Sequence, residues 1–548
     1  MHRRLELVLP AVVFLGIWTS YLPGHMGCSD SRWSIPTAVS LLSERNFDLD
    51  EYESLVKERG SFFTEQIDGH TYTVYPFGVS IIAAPAVALL RPFANLTSRA
   101  WPSLWMSMRD AQWSRGCPPA RAEPVVELHS WTEQIIASSL VALTALLLYA
   151  IARTDLSVAT SVAVALMFAF GTPAWSTASR SLWQHGPSML VLTAALYFQR
   201  RGTGLLVLGM LLALSYVIRP TNAIPLGVCS LWVAWNHPRR VGTYVLGAAL
   251  ILIPFAALNW QIYDAWLSPY YQPATHNGNP FIWEALAGSL VSPGRGLFVY
   301  SPVVGLAFMG IVLKIRQRHF TTLDLTLIVC VLLYWIATAW VNPQWAGGDS
   351  YGPRLLTDIV PYLVYWLIPV VAWIRTAHGW PRRAVAVVFA SLATVSVLMH
   401  AQGVFNPKAM SWNHEPVELN ADPTRLWDWR HPPFLAGFVA PSVVEQLPDL
   451  RTIACTAPPT APSGFVFAIL SNLANTVSGS WNPSLGPVGF YIVESGTKPG
   501  ESDLPTRETQ MTTLTVTRIP PGTYYVRVRA ANACGISAAS NEITLTVQ

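Results

Sequence analysis

The sequence predicts a polytopic α-helical membrane protein followed by a small all-β domain. Three observations carry this. Only 12% of the 548 residues are charged, against about a quarter in a typical soluble domain. Mean hydropathy is +0.35, and apolar runs of roughly 20 residues, the length that crosses a bilayer, recur as far as residue 404. From 463 onward the apolar residues alternate with polar ones, the period of a half-buried strand.

Backbone groups inside a bilayer must bond within their own segment, so the runs are read as helices. Windows fall near 5–24, 77–94, 132–152, 156–175, 185–199, 203–218, 221–236, 240–262, 297–315, 322–342, 354–375 and 383–404. Arg3 and Arg4, Arg200–Arg201, Arg239–Arg240, the Lys314–Arg318 cluster and Arg375 to Arg383 read as cytoplasmic. The segments 176–184, 219–221, 263–296, 343–353 and everything after 405 then face outward. Twelve windows cannot satisfy that pattern. The charge rule is preferred over the count, so an odd number is expected, eleven or thirteen. The crossing in question lies between 95 and 155, with the weakly apolar Trp101 to Trp113 as its candidate. Met1 to Pro23 has a basic start, no small-residue cleavage site and an internal Pro10; it is read as an uncleaved first helix. The expected location is a cell membrane, with a cytoplasmic N-terminus and an external C-terminal domain. Arginine supplies nearly all the positive charge, with lysine only at 57, 314, 408 and 498, which points to a GC-rich genome.

Three regions follow: a membrane domain over 1–405 with a large first external loop at 25–76, a Trp/Pro-rich segment and linker over 406–457, and a β domain over 458–548. Cys455 and Cys534 bracket that domain and would pair if it faces an oxidising compartment. Cys229 and Cys330 lie in apolar spans and read as core residues. The net charge of +4 says little about nucleic acid, and no nucleic-acid-binding motif occurs. Phosphate-loop, nucleophile-elbow, zinc-protease and dinucleotide fingerprints are absent from suitable contexts, and no CxxC pair exists. No metal or other cofactor is called.

The first loop holds the most chemistry. Asp30-Ser31-Arg32-Trp33 sits one turn past the first span, and Gly69 to Gly78, with His70 and Tyr75, runs into the second. Other groups at outward helix edges are His185, Arg219 before Pro220, Arg295 in Ser292-Pro293-Gly294-Arg295-Gly296, and Trp345 to Arg354 with Asp349. Each has a plainer reading: Asp30 as a solvated loop acid or helix cap, Arg32 as an interfacial arginine, Asp349 as a turn residue, His185 as a packed histidine, and Arg295 and Arg354 as loop anchors. A charge at a span end is costly without a partner, which gives Arg219 weight. Trp33, Trp345, Trp412, Trp427 and Trp429 could stack on a sugar, although tryptophan is also what an interfacial belt contains.

These segments, with Phe170 to Trp175 and Ser181 to His185, resemble in their order the GT-C membrane glycosyltransferases of the dolichyl-phosphate-mannose mannosyltransferase and aminoarabinose transferase kind, over roughly 1–430. The resemblance implies a sugar donor linked to polyprenyl phosphate, with a membrane lipid, glycan or protein partner as acceptor. It implies Asp30 as the base that takes the acceptor's proton. Arg32, Tyr75, Arg219, Arg295 and Arg354 are candidates for the donor's phosphate or sugar, Asp349 for a second acid, and His70, His185 and Trp345 for support. Where related sequences carry an acid and a lysine, this chain has Val74 and Tyr75; Tyr75 can hydrogen-bond a phosphate but not neutralise it, and Arg354 is the better clamp because its planar fork suits phosphate. Residues 458–548 resemble a fibronectin type III domain, on Trp481, Pro521 to Ala530 and Ser540-Asn541-Glu542. Two other readings stand beside the transferase: a transporter of lipid-linked saccharides, and a non-catalytic membrane-anchored binding protein.

Overall fold

The computed structural model describes residues 2–24, 30–59, 63–100, 124–272, 278–279, 281–341, 345–416, 419, 422–439, 457–471, 476–504, 506–509, 512–516 and 522–547. The chain divides into two compact units, Met1–Tyr271 with His276–Pro441, and Ser442–Gln548 with Gln272–Thr275.

The first unit is helical, and each apolar window of the sequence falls on a helix or on consecutive helices. Among the described residues, six helices are long and apolar enough to cross a membrane: Gly78–Leu96, Thr132–Ala152, Pro238–Tyr263, Thr322–Val341, Arg354–Thr376 and Gly379–Phe405. Shorter apolar helices, among them Val158–Phe170 and Leu205–Ile218, pack between them. Helix Gly78–Ala100 starts beside Val217 and Ile218. Helix Pro124–Ala152 also runs away from that end, because Glu133 and Gln134 near its start bond Leu182 and Leu22. Trp101 to Trp113 lies outside the described residues.

Two glycines let one pair of helices approach closely. A Cβ on Gly209 would lie 2.1 Å from the Tyr244 carbonyl oxygen, and one on Gly247 would lie 2.0 Å from that of Leu206. Helices Leu205–Ile218 and Val241–Tyr263 therefore touch backbone to backbone, the small-residue packing that membrane helices favour.

The first loop is more structured than its polar composition suggests. Ser34–Ser43 is a helix whose Ile35, Ala38 and Val39 pack with Val79, Ala83 and Val87 of the following span. Strands β1 (Thr64–Ile67) and β2 (His70–Thr73) form a hairpin with Glu65 opposite Tyr72. The Trp-rich stretch after 405 packs on the helical unit: Trp412, Leu419 and Leu426 share a core with Ala285, Ala339 and Trp345.

The second unit is a sandwich of two antiparallel sheets. One has the order β3 (Ser463–Ser471), β4 (Thr476–Asn482), β7 (Thr513–Val516). The other runs β10 (Ile543–Val547), β8 (Gly522–Asn532), β5 (Phe490–Gly496), β6 (Arg507–Thr509), with β9 (Gly535–Ile536) beside β8. Period-two alternation puts Val526, Val528 and Ala530 inside with Phe465, Val477, Trp481 and Tyr491. The outward Arg527 and Arg529 both pair with Glu494, at 2.7 and 3.0 Å. Cys534 is disulfide-bonded, while Cys455 lies outside the described residues; Cys229 and Cys330 are buried and free.

Candidate active site

One pocket opens where several helices end together. Its lining includes Asp30, Ser31, Tyr75, Trp183, Gln184, His185, Arg219, Tyr270, Tyr271 and Arg354. Five of the residues singled out in the sequence thus meet: Asp30, Tyr75, His185, Arg219 and Arg354. The helix pattern explains why. Asp30 follows the C-terminal end of helix His2–Tyr21, Tyr75 precedes the helix starting at Gly78, His185 begins a helix, Arg219 ends one, and Arg354 starts another. Antiparallel spans bring alternate ends to one face. The buried Arg180 fixes the approach of the first loop by donating to the carbonyls of Tyr21 and Pro23.

Asp30 and Arg354 form an ion pair through Oδ2 and Nη2. The rest of the Arg354 guanidinium is also held. Its Nη1 donates to Gly347 O at 3.2 Å, its Nε donates to His185 Nε2 at 3.4 Å, and its Cζ lies over the Trp183 ring, 4.1 Å from the ring centre.

Next to this pair is a second charge cluster, in which His185 and Arg219 meet an acid that the sequence reading missed. Asp358, fully buried, lies 2.6 Å from His185 Nδ1 and accepts from Arg219 Nη1 at 2.6 Å. Arg219 also donates to Tyr334 Oη at 2.8 Å. A buried carboxylate needs a paired cation, and Arg219 fills that role here. An acid inside an otherwise apolar run was the available signal; it was overlooked because no motif surrounds it.

The opposite wall is aromatic. The Tyr75 ring packs between Phe63 and Tyr270, at centroid distances of 5.2 and 4.8 Å. Burial, aided by the nearby Asp30 charge, pushes the Tyr75 phenol well above its ordinary range, so its O–H stays a donor. Tyr271 donates to Gln184 Oε1 at 2.7 Å. Three lining groups, Ser31 Oγ, Trp183 Nε1 and Gln184 Nε2, are buried without a hydrogen-bond partner among the described residues. Buried polar groups are normally matched, so these three can serve a bound molecule.

The other candidates lie elsewhere. Arg32 is half-buried and does not line the pocket. Arg295 is buried and donates to the carbonyls of Ala346, Gly294 and Gly348 and to Asn413 Oδ1, bracing the loop that carries Arg354. Asp349 is largely exposed and faces His414 at 3.5 Å. Trp345 is buried in packing, as are Trp33 and Trp412; Trp429 is exposed and Trp427 partly so. His70 sits on the β hairpin with its Nδ1 2.6 Å from Asp50. The Asp50 carboxylate beside it raises the His70 imidazole above its ordinary value. Ligand-type atoms of Asp48, Asp50 and His70 lie within 4.8 Å of one another, as do those of Glu44, Asp48 and Glu51. Among the described residues these two groups have the donor set a metal would use.

No protein-family model matches the chain, and no curated protein sequence matches it. Among solved structures the chain is similar to ArnT from Cupriavidus metallidurans. The crystal structure bound to undecaprenyl phosphate is 13% identical, with 73% of this chain and 71% of that one covered and a TM-score of 0.43. The apo-state structure is 12% identical, with 75% and 80% covered and a TM-score of 0.44.

Proposed function

We propose that the protein is a membrane glycosyltransferase that moves a sugar from a polyprenyl-phosphate carrier to an acceptor hydroxyl on the outer side of the membrane. The observation that carries this reading is the meeting of Asp30 and Arg354 in one pocket at the ends of the spans. The sequence resemblance assigns a carboxylate and a phosphate-binding cation to such a site. The unmatched donors of Ser31, Trp183 and Gln184 suit the hydroxyls of a sugar.

In the resting pocket Asp30 and Arg354 neutralise each other. A phosphate head group entering the pocket competes for Arg354 and releases the Asp30 carboxylate. Asp30 then accepts the proton of the acceptor hydroxyl as its oxygen bonds to the anomeric carbon. The bond from that carbon to the phosphate oxygen breaks, and polyprenyl phosphate leaves with the electron pair. Arg354 and the Tyr75 hydroxyl stabilise the leaving charge.

The outward placement rests on charge. Arg200, Arg201, Arg239, Arg240, Arg316, Arg375, Arg382 and Arg383 lie at helix ends opposite those that form the pocket. Cytoplasmic loops carry such an excess.

The test supplies membranes containing the protein with radiolabelled sugars linked to polyprenyl monophosphate, and in parallel with the same sugars linked to a nucleotide. Label reaching a new acceptor from the lipid donor alone supports the reading. Transfer from the nucleotide donor alone overturns it.

A further inference from the structure

We infer that Asp358 is a positioning residue for Arg354, acting through the tautomer of His185. This rests on the reading of Arg354 as the donor clamp. The structural part stands on three contacts, the first two of them buried and the third partly so. His185 Nδ1 lies 2.6 Å from Asp358 Oδ2 and 3.0 Å from Arg219 Nη1, and His185 Nε2 lies 3.4 Å from Arg354 Nε.

Arginine has only N–H donors, so His185 Nε2 can hold Arg354 only as a bare lone pair. The proton of a neutral imidazole must then sit on Nδ1. Asp358 enforces this, because a bare Nδ1 lone pair 2.6 Å from a carboxylate oxygen would be repelled, whereas Nδ1–H donates to it. Arg219 does not compete for Nδ1, since its Nη1 already donates to Asp358 and Tyr334. It also cancels the Asp358 charge, so the imidazole need not become a cation to satisfy the carboxylate. A protonated His185 would push Arg354 away.

The consequence reaches the pocket. The Nε–H of Arg354 is pinned by His185, one Nη1–H by Gly347 and one Nη2–H by Asp30. The fork therefore faces the pocket in a fixed plane over Trp183. Asp358, its charge balanced by Arg219, aims Arg354 from outside the pocket lining.

Two experiments on the full-length protein in lipid nanodiscs test this. The first is 15N NMR of histidine-labelled protein, with the residue 185 signal identified by its loss in H185Q. The expected wild-type signal has Nδ1 protonated and Nε2 bare. In D358N the amide can donate to Nδ1, and the proton is expected on Nε2. Nε2 protonated in the wild type overturns the inference. The second compares H185Q with H185N in sugar transfer. Glutamine places an acceptor near the Nε2 position and can still hold Arg354; asparagine reaches only the Nδ1 position. The donor KM of H185N is expected about tenfold above that of H185Q, the loss of one hydrogen bond to a charged group, with kcat differing less. Equal donor KM values overturn the inference. Absence of transfer by the wild type would overturn the proposed function instead, and the NMR result would still decide the tautomer.

Discussion

Asp30 and Arg354 lie 324 residues apart in the chain and form one ion pair in the lining of the pocket. The pair joins the first loop to the start of a late apolar helix. Neither residue is placed by its own neighbours in sequence; both are placed by helices that end at the same face.

Replacing Arg354 tests the cation. R354Q should lower kcat/KM for transfer by about 10²- to 10³-fold, the cost of losing one preorganised donor to a developing charge. R354K should recover only part of this, because an ammonium lacks the planar fork and the stacking on Trp183. Full recovery by lysine would show that charge alone is needed.

Breaking the buried Asp358–Arg219 pair should be costly. D358A leaves an arginine uncompensated among apolar helices, and a loss of about 3–5 kcal/mol is expected. The double variant D358L/R219M should recover most of it. Thermal unfolding in detergent checks both.

The contact between Gly209 and Gly247 sets a helix spacing. A Cβ at either position would lie within 2.1 Å of a backbone oxygen, so G209L or G247L must push the helices apart. Each variant should unfold at lower temperature than the wild type, whereas G242L, where a Cβ meets nothing within 4 Å, should not.

The β hairpin of the first loop carries a pH-dependent contact. The folded His70 is raised above its ordinary value by its hydrogen bond to Asp50, and then by that carboxylate's charge. Its contribution is therefore present in full below the unfolded value of about 6.5 and is lost as pH rises through the folded value. An NMR titration should find His70 above its ordinary value in the wild type and closer to it in D50N.

Much of this architecture was legible in the sequence, because apolar runs and a change to period two are direct consequences of what each segment buries. Asp30, Tyr75, His185, Arg219 and Arg354 were readable as groups at outward span ends, a place where charge is rarely idle. Asp358 was not found, since a single acid in the run Leu355 to Val360 leaves no pattern and its partners come from helices 139 and 173 residues away. The helix Ser34–Ser43 was hidden for a related reason: its apolar stripe is short, and the loop around it is polar. Arg295 had the same local signature as Arg354, Gly and Pro neighbours at a span edge. Only the fold separates them, by turning Arg295 onto the carbonyls of Ala346 and Gly348 in the loop that carries Arg354.

The most direct test is sugar transfer by the purified protein in nanodiscs, comparing wild type, D30N and D349N with the same polyprenyl-phosphate sugar. D30N should lower transfer by about 10²- to 10⁴-fold, the range for a positioned general base, while D349N, whose carboxylate lies outside the pocket lining, still transfers. Wild-type transfer by D30N together with loss in D349N would contradict the account and move the base to the loop that carries Asp349.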